Sequence, residues 1–276
     1  MQKFRVAIQG ESGSFSHEAA MRLFPGAEIV SCVLSADVFG ALTDASVEAA
    51  VIPIENSLAG PVSEHYDLLL KHDVRVVKEI LLRIRHNLIA LPGTKIDAIE
   101  RVFSHPVALA QCRRFLARHT GISAYAFYDT AGSVKQVMEQ GDPRAAAIAS
   151  EAAAACFGAE VIERDIEDNP ENYTRFFTVL RSADVQPLSE ANKISLAFAL
   201  ENRPGTLVAA LTALSTIGTN LTKIESRPVH GHPWEYIFYA DCQLLSAAEG
   251  RQAMDSLRPH CSMVRELGLY READAN

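Results

Sequence analysis

The chain has 276 residues, with 26 Lys and Arg against 34 Asp and Glu, and a formal net charge of −8. At ~150 residues per domain, that length makes about two domains. A content of 48% apolar and 22% charged residues is that of a globular chain, not a disordered, collagenous or low-complexity one. The acidic balance has the wrong sign for neutralising phosphates and argues against nucleic-acid binding, and no apolar run reaches the ~20 residues of a membrane span.

The N-terminal MQKFRVAIQG runs straight into an alternating strand, with no leader-like apolar region or cleavage site. Cys32, Cys112, Cys156, Cys242 and Cys261 are odd in number and scattered, with no C-x-x-C. That pattern fits a reduced, cytoplasmic protein without structural zinc.

Phe4–Gln9 reads as a strand, followed by the small polar turn Gly10–Ser16 and a helix over His17–Leu23. A strand, a glycine turn and a helix N-terminus make a ready anion site. Val30–Leu34 reads as a strand and Ala36–Thr43 as a helix. Ala49–Ile54 is a continuous apolar run, as in a buried parallel strand, and Val62–Lys71 is helical. The alternation indicates an α/β class with a mostly parallel sheet.

Arg75–Leu91 is strand-rich, and Pro92-Gly93 punctuates it. Val102–Phe103 is short and β-like, and Leu109, Cys112, Arg113 and Leu116 mark one helix over Pro106–His119. A strand over Ala124–Tyr128 and a helix over Ala131–Gln140 follow. The Ala-rich stretch Ala145–Ile162 reads as buried or half-buried helix, with Ala145–Ala149 open between a strand and a helix start and Glu151–Phe157 a helix. Asp168–Asn172 is turn-like and Thr174–Leu180 a strand. Two α/β units of similar rhythm imply two lobes with a small-molecule cleft between them.

Arg181–Ala191 is a polar linker. Beyond it come a strand over Lys193–Leu200, a turn at Asn202–Gly205 and a helix with Leu207, Ala210, Leu211, Leu214 and Ile217 on one face. Gly218 stops that helix. Strands over Leu221–Ser226 and Trp234–Cys242, a helix over Ala247–Leu257 and a strand over Ser262–Tyr270 complete a βαββαβ unit. His230 and His232 read as a hairpin loop, not a metal pair, and Trp234, Tyr236 and Phe238 as alternating sheet residues.

Several motifs occur in one order: Gly10-Glu11-Ser12-Gly13-Ser14-Phe15-Ser16, Pro53-Ile54-Glu55-Asn56-Ser57, His86-Asn87-Leu88, Ser104-His105-Pro106 with Gln111-Cys112, Asp129-Thr130-Ala131, Asn172-Tyr173-Thr174-Arg175-Phe176, Gly205-Thr206-Leu207-Val208 and Glu225-Ser226-Arg227-Pro228. Over nearly the whole chain this set resembles the prephenate dehydratase family with a C-terminal ACT regulatory domain. The first motif often has Pro and Thr where Glu11 and Ser14 stand here, and Ser14 keeps the hydroxyl. Thr206 replaces a common Ala in the regulatory motif. No chorismate mutase segment precedes the first strand, so the monofunctional form is expected.

The resemblance implies a bilobal, type II periplasmic-binding-protein-like catalytic domain over 1–181, its lobes spanning 1–78 with 163–181, and 79–162. A linker over 182–192 and a ferredoxin-like ACT domain over 193–271 follow. It implies decarboxylating dehydration of prephenate to phenylpyruvate without cofactor or metal. Feedback inhibition by L-phenylalanine and a homodimer or homotetramer are also implied.

Aromatisation drives the reaction, so the protein must bind a dianion, orient it and help hydroxide leave. Thr174 is the candidate for that hydroxyl. Threonine is a weak acid at neutral pH, which favours a positioned hydrogen bond or a water relay over outright proton donation; the alternative role is a cross-strand contact. Arg175 is a candidate bidentate carboxylate clamp. Clamping the ring carboxylate would stabilise the group that must leave as CO2, so the side-chain carboxylate is its expected partner; the alternative is an ion pair with Glu167 or Asp168. Ser14, Asn56 and Ser57 can offer donors or cap helices. Glu55 can orient those donors or balance Arg175, while Thr130 and Ala131 would line the facing lobe. Asn172 and Phe176 complete the substrate set, and His105 reads as a core or cap residue.

The family's phenylalanine-binding elements match Asn202, Gly205, Leu207, Val208, Asn220, Leu221, Glu225, Ser226 and Arg227. Such sites in the family lie between paired regulatory domains. Arogenate dehydratase is the nearest rival reading, and a non-catalytic amino-acid sensor is a rival from another class.

Overall fold

The computed structural model describes residues 3–229 and 235–274. His230, His232 and Trp234 lie outside the described residues. The chain begins with β1 (Arg5–Gln9), α1 (Phe15–Leu23), β2 (Glu28–Cys32), α2 (Ser35–Thr43), β3 (Ala49–Asn56), the short β4 (Gly60–Pro61) and α3 (Ser63–Lys71). β1 pairs in parallel with β2 and β3. The run Ala49–Ile52 is fully enclosed because helices cover both faces of a parallel strand.

The strand-rich stretch after α3 divides into β5 (Val74–Arg83) and β6 (Asn87–Ala90), which belong to different sheets. β7 (Arg101–Ser104), α4 (Pro106–Gln111), α5 (Arg113–Arg118), β8 (Ser123–Ala126), α6 (Thr130–Gln140), β9 (Ala145–Ala149), α7 (Glu151–Phe157) and β10 (Glu160–Glu163) follow. The chain then returns through β11 (Tyr173–Arg181). The first sheet has the order β2-β1-β3-β11-β5, with β4 on β3; the second has the order β10-β6-β9-β7-β8. Each sheet is the centre of one lobe.

Ala145–Ala149 takes the strand of its two open readings, because β9 is paired on both edges, antiparallel to β6 and parallel to β7. Its five buried residues face helices on both sides, a place that small alanines fit. The helix over Glu151–Phe157 is present as α7, and only the reading of the whole of Ala145–Ile162 as helix is corrected. The helix expected over Pro106–His119 breaks at Cys112, whose φ of −121° leaves the helical region. There the Asp168 carboxylate accepts from the amides of Arg113 (3.0 Å) and Arg114 (2.9 Å), which starts α5 afresh.

The two crossovers between the lobes run side by side. The Ile84 amide donates to the Asn172 carbonyl (2.7 Å), and the Ile166 amide to the His86 carbonyl (2.8 Å). The His86 amide donates to Glu167 Oε2 (3.0 Å).

The C-terminal elements are β12 (Lys193–Ala199), α8 (Thr206–Thr216), β13 (Asn220–Pro228), β14 (Tyr236–Gln243), α9 (Ala247–Leu257) and β15 (Met263–Tyr270). Their antiparallel sheet has the order β13-β14-β12-β15, the split βαβ arrangement. Ile194, Leu196 and Phe198 of β12 pack with Ala210, Leu214, Ala253 and Leu257 of the two helices.

The chain forms two compact units, Met1–Val62 with Ile80–Phe176 and Ser63–Glu79 with Phe177–Asn276. The strand-helix rhythm assigns Ser63–Lys78 to the first lobe, whereas this segment packs within the C-terminal unit. Tyr66 lies 4.9 Å from Tyr239 ring to ring, and Arg227 pairs with Asp67 at 3.1 Å. Arg265 donates to the carbonyls of Leu70 and His72. Buried Lys193 reaches Glu79 (3.0 Å) and Glu272 (3.1 Å).

Candidate active site

A cleft of about 540 Å³ opens between the two lobes of the first unit, lined by Gly10, Ser14, Phe15, Asn56, His86, Gln111, Asp129, Thr130, Thr174 and Phe176 among others. On β11, Thr174 and Phe176 share a face, as residues two apart must, and both line the cleft.

The polar network behind Thr174 fixes its own hydrogen positions. Asn56 Oδ1 accepts from the backbone amides of Leu58 (3.0 Å) and Ala59 (2.8 Å), so its amide nitrogen faces the other way. That nitrogen donates to Asn172 Oδ1 (2.7 Å), Thr174 Oγ1 (2.9 Å) and the Tyr173 carbonyl (3.2 Å). Asn172 Nδ2 therefore donates to Gln111 Oε1 at 2.9 Å. His86 Nε2 meets that same oxygen at 2.9 Å and must carry the proton. His86 is thus the neutral Nε2–H tautomer, and burial pulls its pKa below the usual histidine value.

Two groups are left for a ligand. Thr174 Oγ1 already accepts from Asn56, so its own proton is available to the cleft, and the accepted bond polarises it. Gln111 spends its oxygen on Asn172 and His86, which leaves its NH2 for the cleft.

Among the described residues no Lys or Arg lines this cleft. Its donors are neutral side chains and the N-terminal end of α1, where the helix dipole favours anions; the amides opening α6 are taken by the Asp129 carboxyl. Ser14 caps α1, its Oγ accepting from the His17 amide at 3.2 Å, and still lines the cleft. Cap and ligand roles coexist there. His105 caps α4 through Nδ1, 3.2 Å from the Val107 amide, and also lines the cleft. An adjoining chamber, reached past Gln111, Val107 and Ala59, carries Arg113.

The other expected residues sort by face. Arg175 is buried and, by strand alternation, lies on the face of β11 opposite Thr174; it is not among the cleft-lining residues. A clamp in this cleft is therefore not where its side chain stands. Glu55, next to the end of β3, stands opposite Pro61 of β4 and is not among the cleft-lining residues. The Ser57 hydroxyl ties β3 to β11, accepting from the Tyr173 amide (3.0 Å) and donating to the Glu171 carbonyl (3.1 Å). Thr130 lines the cleft, while the Ala131 methyl is in the core of its lobe. Asn172 is fully buried in the network.

Glu11, His86, Gln111, Tyr128 and Asp129 line the cleft and were not among the expected site residues. All but Tyr128 lie inside the motifs quoted above. Gly13, with φ of +84°, lets the lobes touch: a methyl group there would lie 2.5 Å from Ala153 Cα.

In the C-terminal unit, Asn202, Gly205, Leu207 and Val208 line a cavity of about 200 Å³ at the start of α8. Asn220, Leu221, Glu225, Ser226 and Arg227 do not. They lie along edge strand β13, with Asn220 donating to Gln243 (2.8 Å), Glu225 beside Lys223 (3.6 Å) and Arg227 on Asp67. The described residues of one chain do not gather the whole expected effector set in one cavity.

This is a two-lobed α/β protein whose cleft is lined by a polarised hydroxyl and neutral donors. The prephenate dehydratase family model matches residues 6–184, and the chain belongs to that family. The chloroplastic arogenate dehydratase/prephenate dehydratase 2 of Arabidopsis thaliana is 40% identical over 278 residues, covering 97% of this chain and 73% of that protein. A solved prephenate dehydratase from Arthrobacter aurescens, in complex with L-Phe, superposes with a TM-score of 0.88 at 30% identity, over 97% of this chain and 90% of that one. A structure described as a novel type of quorum-quenching acylase superposes equally well, with a TM-score of 0.88, 32% identity and 97% coverage of both chains.

Proposed function

We propose that the protein converts prephenate to phenylpyruvate, releasing CO2 and water. The observation that carries this reading is the Thr174 hydroxyl, polarised by Asn56 and free to donate into the cleft. The leaving hydroxyl of the ring takes that bond as charge builds on its oxygen, so the interaction strengthens in the transition state. The carboxylates are held by Gln111, Ser14 and the amides opening α1. Arogenate differs only in carrying an ammonium for the ketone and serves as the second substrate to compare.

The same reading assigns residues 1–181 to a bilobal catalytic domain of type II periplasmic-binding-protein architecture and 193–271 to an ACT domain. L-Phenylalanine is its effector. The division of the effector set between the α8 cavity and the β13 edge supports a site completed by a second copy, and so a homo-oligomer. Five unpaired cysteines support a reducing, cytoplasmic setting.

The test is phenylpyruvate release from prephenate, and from arogenate in parallel, with and without L-phenylalanine. Turnover that phenylalanine suppresses and Thr174→Ala abolishes is expected. Phenylalanine binding with both substrates inert would replace this reading with the amino-acid sensor.

A further inference from the structure

Proton delivery to the departing oxygen is the step the Thr174 hydroxyl leaves open, because an alcohol is too weak an acid to supply it at neutral pH. The cleft holds a carboxyl placed for it. Asp129 caps α6 with Oδ1, which accepts from the Gly132 amide at 2.7 Å. Its other oxygen is turned toward Gly10: a methyl group built on Gly10 would sit 3.2 Å from Oδ2. Gly10, where φ is +102°, has no side chain to stand against that oxygen, and both residues line the cleft.

The groups around Asp129 are Glu11 from the β1–α1 turn, His105 from the start of α4, and neighbouring Tyr128. The Tyr128 hydroxyl donates to Glu11 Oε1 (3.0 Å), and Lys135 Nζ lies 3.8 Å from Glu11 Oε2. Burial pushes the Asp129 carboxyl above its ordinary value, and the Glu11 charge adds to it. The amides of Gly132 and Ala131 and the nearby His105 oppose.

We propose that Asp129 is the general acid of the elimination, its Oδ2 protonating the departing ring hydroxyl across the cleft from Thr174. This rests on the reading of the cleft as a prephenate-type dehydratase site. The carbon–carboxylate bond breaks and its electron pair enters the ring. The carbon–oxygen bond at the hydroxyl-bearing carbon breaks as the oxygen takes the Asp129 proton and departs as water. Carbon dioxide leaves neutral, the ring becomes aromatic, and the Asp129 carboxylate regains a proton from solvent. Nothing outside the substrate and one solvent proton is consumed. Thr174 donates a hydrogen bond to the same oxygen throughout.

The experiment separates the acid from the cap. Asn and Ser cap helices about as well as Asp, so D129N and D129S keep α6 anchored while removing the acidic proton. In both, kcat is expected to fall about 10²–10⁴-fold with KM within about threefold and the melting temperature unchanged. Wild-type kcat should fall as pH rises through the Asp129 titration, and that falling limb should be missing from the residual activity of D129N. Either variant retaining kcat within about threefold, or the same limb in D129N, overturns the proposal while leaving the dehydratase reading intact. Wild-type protein inert toward prephenate and arogenate overturns both.

Discussion

Replacing Asn56 by Asp changes one atom group and tests the polarised hydroxyl directly. The introduced carboxylate still accepts from the amides of Leu58 and Ala59. In place of the amide donor, it turns an oxygen toward Asn172 Oδ1 (2.7 Å), Thr174 Oγ1 (2.9 Å) and the Tyr173 carbonyl (3.2 Å). Thr174 relieves its share of the conflict by rotating its proton toward the carboxylate, which takes that proton out of the cleft. Asn172 relieves its share only by flipping, and a flipped Asn172 sets its oxygen against Gln111 Oε1. The conflict is therefore displaced along the network, not removed. About 1–3 kcal/mol of stability is lost, the cost of a buried polar group left unmatched. Losing a donor to the developing oxyanion costs about 2.7–4 kcal/mol in the barrier, or 10²–10³-fold in kcat. The assay is kcat and KM for phenylpyruvate formation beside a urea unfolding curve. If Asn56→Asp keeps kcat within about threefold while Thr174→Ala is inactive, the hydroxyl is not activated through Asn56 and the hydrogen-bond assignment fails with it.

Gly13→Ala should destabilise the protein by at least about 1–2 kcal/mol, the cost of a positive φ for an L-residue. It should also lower turnover, because the new methyl group meets Ala153 at 2.5 Å and forces the lobes apart; wild-type melting and turnover would refute the close approach. Lys193→Met takes the ammonium away from buried Glu79 and should cost about 3–5 kcal/mol in urea unfolding. Adding Glu79→Gln should recover part of that loss, since glutamine still accepts from the Ala273 amide. Burial holds the pKa values of His17 and His86 below their ordinary 6.5. Their contribution to stability is complete above pH 6.5 and is lost as pH falls toward their lowered folded values, because the unfolded chain takes up the protons first. The urea midpoint should fall as pH drops below 6.5, less steeply in His17→Gln; equal slopes in the two proteins would sink the His17 share.

The apolar run of β3 and the stripe of α8 determined the α/β class and the βαββαβ unit, because periodicity and turn chemistry are local properties. The family came from the resemblance of the ordered motifs, and Thr174 and Asn56 were candidates because they stand in two of those motifs. Which side of β11 faces the cleft was not local. Adjacent residues alternate across a strand, so the motif that selects Thr174 cannot say that Arg175 belongs to the other face until neighbouring elements choose a side. Likewise, α3 reads as part of the first lobe by rhythm alone. Long-range partners such as Tyr239, Arg227 and Arg265 place it with the C-terminal sheet. The tautomer of His86 and the free proton of Thr174 follow from a chain of hydrogen bonds that starts at the amides of Leu58 and Ala59 and joins residues 116 and 118 positions apart. A side chain's identity is set in the sequence. Which of its atoms faces a ligand is decided by the partners that tertiary packing brings to the other atoms.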